Sequence, residues 1–193
     1  MTRLGYHIVE IKWRLLLLLV LYPGIAATAD PNSLLQSGRT QFYRATQSEA
    51  ALDSAIATFR MLRTDSSIFE ALVDTYLGAL TCLQGKHALL PTRKLSLVNK
   101  GLAKMDKAIS RNPKNVEALF VRASTTFYLP FFFNRGEQAQ EDMQRLSELL
   151  PGHAGRFPDD LVQNVAEFLL ENGDLDDTQR RELLIMQERL ALR

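Results

Sequence analysis

The chain has 193 residues, of which 46% are hydrophobic, and this suits one domain with a substantial core. The formal charge is +1, and the first 29 residues carry a net +2, which leaves about −1 for residues 30–193. A near-neutral domain gives no overall argument for nucleic-acid binding, since nucleic-acid-binding proteins usually have a strongly basic face. Cys82 is the single cysteine, which excludes an internal disulfide framework and a cysteine-pair zinc site.

The first 29 residues have the order of a secretory signal peptide. Lys12 and Arg14 precede a short apolar run at 15–21, a helix-breaking Pro23-Gly24 pair, and a small-x-small site at 27–29. The apolar run is short for a membrane span. We therefore predict cleavage after Ala29 and an exported, periplasmic domain over residues 30–193. The alternative is an uncleaved N-terminal segment that anchors the chain to a membrane.

Beyond residue 30 the apolar residues recur with the period of a helix, and strand-like alternation is almost absent. The pattern predicts an all-α domain with eight helices. They cover 32–46, 48–63, 67–85, 94–111, 115–129, 135–149, 158–172 and 176–192. The longest predicted linker lies at 87–93. Asn134, with Glu137 three residues later, has the spacing of an N-terminal capping box.

The two helices on either side of Pro113 show the helical pattern most clearly. One apolar face has steps of four, three and four, and is made of Val98, Leu102, Met105 and Ile109. Pro113 ends this helix because proline has no amide proton. The next helix has its own apolar side, made of Val116, Leu119, Phe120 and Ala123. Such a hairpin cannot bury both faces alone, so it needs neighbours of the same kind.

Small residues recur at fixed steps along the second helices of the pairs. Gly101, Met105, Ala108 and Pro113 have the same spacing as Ala139, Met143, Leu146 and Pro151, which follow 38 residues later. Glycine or alanine at these steps allows two helix backbones to approach closely. We expect leucine at Gly101 or Ala139 to be destabilising, and alanine at Gly101 to be tolerated or helpful.

These spacings, with the first-helix residues Tyr76, Gly78 and Gly85, resemble the tetratricopeptide repeat. The likeness covers most of 32–193 as four degenerate helix pairs. Leu129–Arg135 also resembles a segment found in exported bacterial helical-repeat proteins. The resemblance implies stacked helical hairpins that form a short solenoid whose groove binds a protein or peptide. A generic helical bundle is the alternative.

One helix carries a basic stripe, defined as Lys100, Lys104, Lys107 and Arg111. These residues lie four, three and four positions apart, opposite the apolar face. The stripe is interpreted either as a solvated outer face or as a contact for an anionic surface, which would be lipid headgroups or an acidic protein. No aromatic residues are interleaved with it, and nucleic acid is therefore not a predicted partner.

Residues 127–135 form what we name the aromatic bend, where five aromatic residues surround Pro130. The rings either fill the core beneath a lengthened linker or present a site for a peptide or partner helix. Three consecutive phenylalanines cannot all share one buried face, so at least one should point outwards. The candidate partner-binding residues are Tyr128, Phe131, Phe132, Phe133 and Arg135.

Patterns of catalytic residues are not evident in the sequence. His87 and His153 lie 66 residues apart, and the chain has no zinc-binding histidine pair, nucleophile elbow or phosphate loop. The acidic run at 171–177 lacks the spacing of a calcium loop and is interpreted as a turn and helix cap. We predict a non-catalytic adaptor or scaffold without a cofactor or metal. An accessory ligand-binding component of an envelope transport system is the alternative.

Overall fold

A computed structural model describes residues 30–65 and 69–192 of the chain. The chain divides into two units, Met1–Asp30 and Pro31–Arg193, and the description below concerns the second. The predicted signal peptide at residues 1–29 lies outside the described residues, so its cleavage stays a prediction.

The described residues form eight α-helices and no β-strand, which confirms the predicted all-α class. None of these helices is both long and apolar enough to cross a membrane. The helices are α1 (Pro31–Ala45), α2 (Glu49–Asp65), α3 (Glu70–His87), α4 (Pro91–Arg111), α5 (Val116–Phe127), α6 (Gly136–His153), α7 (Asp159–Asn172) and α8 (Asp177–Ala191). Two short 3-10 turns lie at Phe131–Phe133 and Ala154–Arg156.

The predicted linker at 87–93 is mostly helical. Helix α3 continues to His87 and α4 begins at Pro91, which leaves only residues 88–90 between them. Proline is well accommodated in the first turn of a helix, where its missing amide proton would have no intrahelical acceptor. Arg93 and Lys94 therefore lie in the first turn of α4, on the same helix as the basic stripe.

The turn before α8 confirms the interpretation of the acidic run as a turn and cap. The Gln179 backbone amide donates to Asp176 Oδ1 at 2.8 Å, and the Asp176 amide donates to Gln179 Oε1 at 3.0 Å. This reciprocal pair satisfies two amide groups that the helix cannot pair internally. The carboxylate of Asp176 thus caps the N-terminus of α8.

The helices pack in four sequential pairs, α1 with α2, α3 with α4, α5 with α6 and α7 with α8, and the α3–α4 pair is the most closely packed. The predicted hairpin around Pro113 is not such a pair, because α4 and α5 make few contacts with each other. A Cβ atom placed on Gly101 of α4 would collide with the carbonyl oxygen of Gly78 on α3, and would lie 2.5 Å from Cys82 Sγ. The two backbones are therefore in contact at this point. The apolar face predicted for α4 is buried, and so is the apolar side predicted for α5, with Leu119 and Ala123 fully inaccessible.

The first helices of the four pairs, α1, α3, α5 and α7, contact one another and form what we call the inner layer. Helix α1 reaches α5 through Arg39 and Glu117, and it reaches α7 through Tyr43 and Asn164. In a solenoid each repeat contacts only its neighbours. These contacts between the first pair and the third and fourth pairs go beyond that pattern, and solenoid stacking stays a prediction.

Candidate partner-binding site

The aromatic bend is a short connection that is held at both ends. Helix α5 ends at Phe127, and Pro130 adopts an extended conformation with φ −53° and ψ 143°. The amide of Leu129 donates to Thr126 O at 3.2 Å, and the amide of Phe133 donates to Pro130 O at 3.0 Å. Because the backbone is hydrogen-bonded on both sides of the proline, the three phenylalanines sit on a defined 3-10 turn.

Asn134 does not have the capping role that its spacing predicts. It takes a left-handed conformation with φ 53° and ψ 50°, and its amide donates to Phe131 O at 2.9 Å. Asparagine enters this region more readily than most residues with a side chain. Arg135 occupies the position before α6, without a side-chain hydrogen bond to the helix end. Asn134 therefore closes the aromatic turn, and the predicted capping box is wrong.

The rings of the aromatic bend differ sharply in exposure. Phe131 is 93% exposed, Tyr128 is 72% exposed and Phe132 is 60% exposed, whereas Phe133 is partly buried against the core. The ring centroids of Phe132 and Phe133 are 4.7 Å apart, and those of Phe131 and Phe132 are 6.0 Å apart. The three rings thus form a series that leads from the core into solvent.

A second group of rings anchors the start of the bend. The centroids of Phe127 and Phe168 lie 5.9 Å apart at nearly a right angle, and Phe120 packs edge-on against Phe168 at 5.6 Å. Edge-to-face contacts of this kind are favoured by the charge distribution of the rings. Exposed Tyr128 stacks edge-on against Phe127 at 5.1 Å. The exposed rings are therefore attached to a buried aromatic cluster.

Arg135, the polar member of the predicted site, is partly buried and ion-paired. Its Nη1 donates to Asp106 Oδ2 at 2.9 Å and to Gln138 Oε1 at 2.7 Å. Asp106 also accepts from Arg122 Nη1 at 3.1 Å. The guanidinium of Arg135 thus holds the end of the bend against α4, and the exposed part of the predicted site consists of Tyr128, Phe131 and Phe132.

A buried ion pair is linked to Arg135 through Asp106, which accepts from both Arg135 and Arg122. The Arg122 guanidinium donates twice to Asp142, from Nε and from Nη2, each at 2.8 Å. Burial raises the pKa of the Asp142 carboxyl, and the hydrogen bonds from Arg122 only partly oppose this rise. Such a fork-to-fork pair fixes orientation as well as contact. It joins α5, which precedes the aromatic bend, to α6, which follows it.

The structure separates the basic stripe into two kinds of residue. Lys104 Nζ lies 3.0 Å from Asp74 Oδ1, and Arg111 donates to Asp74 at 2.5 Å and to Glu70 at 2.8 Å. Burial alone would raise the pKa of Asp74, but the hydrogen bonds from Arg111 and Lys104 lower it below its ordinary value. These two cations tie α4 to α3.

The other two members of the basic stripe face solvent. Lys100 and Lys107 are exposed, and neither forms an ion pair with the described part of the chain. The stripe is therefore half structural and half available to an anionic partner. The sequence pattern could not separate the two halves, because the difference depends on where Asp74 of another helix lies.

A polar cluster in the inner layer was not predicted. Glu117 is buried, and it accepts from Arg39 Nε at 2.7 Å, from Arg39 Nη2 at 2.6 Å and from the Tyr76 hydroxyl at 2.7 Å. Burial raises the pKa of Tyr76 well above its ordinary value. The one signal of this cluster in the sequence is that Glu117 stands among apolar residues of α5. Its partners, on α1 and α3, could not be identified from the sequence.

Two open clefts occur in the described part of the molecule. One, of about 420 Å³, lies between α2 and the α3–α4 turn, and its lining includes Glu49, Asp53, His87 and Arg93. The other, of about 320 Å³, lies between α8 and the end of α6. The described residues contain no group of three or more side chains suited to holding a metal ion.

No family model, curated protein or solved structure matches this chain. The resemblance to the tetratricopeptide repeat therefore stays a prediction, carried by the residue spacings alone.

Proposed function

We propose that this chain is a non-catalytic adaptor that binds a protein or peptide partner through the aromatic bend. The observation that carries the proposal is the exposure of Tyr128, Phe131 and Phe132 on one short segment. Large aromatic side chains dominate the energetics of protein interfaces, where they contribute wide apolar area at a small cost in side-chain freedom. The partner chemistry that suits them is an apolar surface with room for two or three rings.

Preorganisation supports this proposal. The turn is hydrogen-bonded before and after Pro130, and Phe133 packs against the core. A partner would not need to order the segment on binding, and this avoids a cost that flexible loops incur. The arrangement also separates two roles, because Phe133 holds the turn in place while Phe131 and Phe132 remain available for contact.

Export belongs to the same proposal. The signal-peptide pattern of residues 1–29 supports a periplasmic location for the adaptor, with an uncleaved membrane anchor as the alternative. In that compartment, an adaptor would hold a partner protein without altering it chemically. The clefts described above have carboxylate, imidazole and aliphatic lining groups, but no observation favours one small ligand for them over a partner at the bend.

The test is site-specific photocrosslinking in the envelope, with a benzophenone side chain at Phe131. A crosslinked partner would be identified and purified, and its affinity for the chain measured. We expect Phe131→Ala and Phe132→Ala to weaken binding at least tenfold while leaving the melting temperature unchanged, because both rings are already in solvent. Leu192→Ala is the matched control, since Leu192 is also an exposed apolar residue but lies in another part of the chain.

Phe133→Ala provides the contrasting variant. It should lower stability, because its ring packs against the core. The proposal is wrong if the purified partner binds the Phe131 and Phe132 variants as tightly as it binds the parent. It is also wrong if binding falls only in variants whose melting temperature falls.

A further inference from the structure

We propose that the exposed end of the α3–α4 hairpin binds the surface of an anionic phospholipid membrane. The residues involved are two leucines of the turn and three cations of α4, which together we call the leucine–cation patch. The patch consists of Leu89, Leu90, Arg93, Lys100 and Lys107. It lies apart from the aromatic bend in sequence and does not depend on the partner proposed there.

The leucines are the first observation. Leu89 is 94% exposed and Leu90 is 64% exposed, in a turn of three residues between two long helices. The turn is held by its neighbours, since the amide of Ala88 donates to Gln84 O at 3.1 Å and the amide of Lys94 donates to Leu90 O at 3.0 Å. Two adjacent aliphatic side chains are thus presented to water on an ordered turn, where solvent gives them no favourable contact.

The cations are the second observation. Arg93, Lys100 and Lys107 follow one another at intervals of seven residues, which is close to two helical turns. They therefore lie on one side of α4, spread over roughly 20 Å at 1.5 Å per residue. All three are exposed, and none has an ion-pair partner among the described residues. The leucines lie beyond the Arg93 end of this row.

Lipid fits this combination better than an acidic protein does. A row of cations alone would suit either partner, since both carry anionic groups. The solvated leucine pair adds a need for an apolar environment beside the anionic groups. A bilayer interface offers both, with phosphates at the level of the cations and acyl chains just below for the leucines.

Acidic residues beside the patch limit how strongly it can attract anionic lipid. Glu49 and Asp53 of α2 line the cleft that also includes Leu89, Leu90 and Arg93. The exposed cations near the turn outnumber these two carboxylates, and they are Lys86, Arg93, Lys94 and Lys100, with Lys107 further along α4. The local surface is therefore cationic although the domain as a whole is near neutral, and binding should weaken as salt is added.

The experiment is cosedimentation with vesicles of phosphatidylcholine, with and without phosphatidylglycerol. The purified chain is used with the same N-terminus in the parent and in every variant, so that any contribution from residues 1–29 is shared. We expect binding to increase with phosphatidylglycerol. Lys100→Gln with Lys107→Gln should reduce partitioning on the order of 30-fold, since each cation near an anionic surface contributes roughly a fivefold factor.

A second variant separates lipid insertion from simple charge attraction. Leu89→Ser with Leu90→Ser should lower partitioning at least about tenfold at unchanged melting temperature, because both side chains are exposed. The matched control is Arg181→Gln with Leu192→Ser, which removes one exposed cation and one exposed leucine in α8 and just after it, and should bind like the parent.

Three results would overturn the proposal. Equal binding to vesicles with and without phosphatidylglycerol would show that the cations have no role. Full binding by the leucine variant, with loss only in the lysine variant, would assign the patch to an anionic partner without an apolar layer. Binding to polyglutamate but not to phosphatidylglycerol vesicles would likewise favour an acidic protein. Failure here leaves the crosslinking experiment at Phe131 unaffected.

Discussion

Gly101→Ala tests the packing of α3 against α4. The added Cβ would collide with the Gly78 carbonyl and would lie 2.5 Å from Cys82 Sγ and 2.9 Å from Cys82 N. Ordinary contacts begin at 3.4 Å, so the Cys82 amide alone would have to move by about 0.5 Å. Two of these three neighbours are backbone atoms, which cannot rotate away as a side chain could. Helices α3 and α4 would have to separate.

The size of the effect follows from two opposing terms. Overpacking costs about 1–3 kcal/mol, and backbone contact places this case near the upper end. Replacing a helical glycine with alanine returns up to about 1 kcal/mol through helix propensity. We therefore expect a net destabilisation of about 2 kcal/mol. In a chain of this length that corresponds to a fall in melting temperature of roughly 4–8 °C.

Gly152→Ala is the matched control, since a Cβ at Gly152 in α6 meets nothing within 4 Å. It should leave stability unchanged or raise it by up to about 1 kcal/mol. Urea unfolding of both variants and the parent measures the difference. A Gly101 variant as stable as the parent would refute the close approach at Gly78. The sequence led to the opposite expectation for this substitution, because propensity is visible in a sequence and a facing carbonyl is not.

Three further predictions concern titratable groups. Asp74→Asn should cost about 1 kcal/mol of stability at pH 7. In the parent, the stability that comes from the lowered pKa of Asp74 is present above the ordinary pKa of 3.8 and is lost as the pH falls through the lowered value. The Asn variant lacks this contribution, so its stability should fall less steeply below pH 3.8 than that of the parent. Burial raises the pKa of Cys82 to about 12, so Ellman's reagent should label this thiol at pH 8 only after unfolding. Above about pH 9 the thiol ionises in the unfolded chain but not in the folded one, which lowers stability, and Cys82→Ala should remove this loss. Glu117→Ala should cost about 3 kcal/mol in urea unfolding because it strands Arg39, and the double variant Arg39→Met with Glu117→Leu should recover most of that loss.

Helix periodicity made the elements predictable, since each of the eight helices appears close to its expected range. The buried face of α4 followed from steps of three and four residues alone. The boundary at Pro91 did not, because proline marks the first turn of one helix as readily as the end of another. Because of this ambiguity the sequence placed Arg93 in a linker. The structure places it on α4, in the same row as Lys100 and Lys107 and next to the turn that carries Leu89 and Leu90.

Long-range polar contacts were beyond the sequence for a different reason. Arg39 and Glu117 are 78 residues apart, and Tyr43 and Asn164 are 121 residues apart. An acidic residue in the first turn of a helix is ordinarily explained by the helix dipole. Nothing local marks Glu117 as the acceptor of three hydrogen bonds, because its burial is set by α1 and α3.

The inner-layer contacts bear on where a partner would bind. A peptide laid across the inner layer where α1 meets α5 and α7 would have to displace Tyr43 from Asn164, and opening the layer further would break the pair of Arg39 and Glu117. Separating a buried ion pair costs about 3–5 kcal/mol, which would reduce affinity by a factor of 100 or more. At the aromatic bend the rings are already in solvent and the turn is already ordered. Binding there gains apolar contact without a matching loss, and this difference favours the bend over the inner layer.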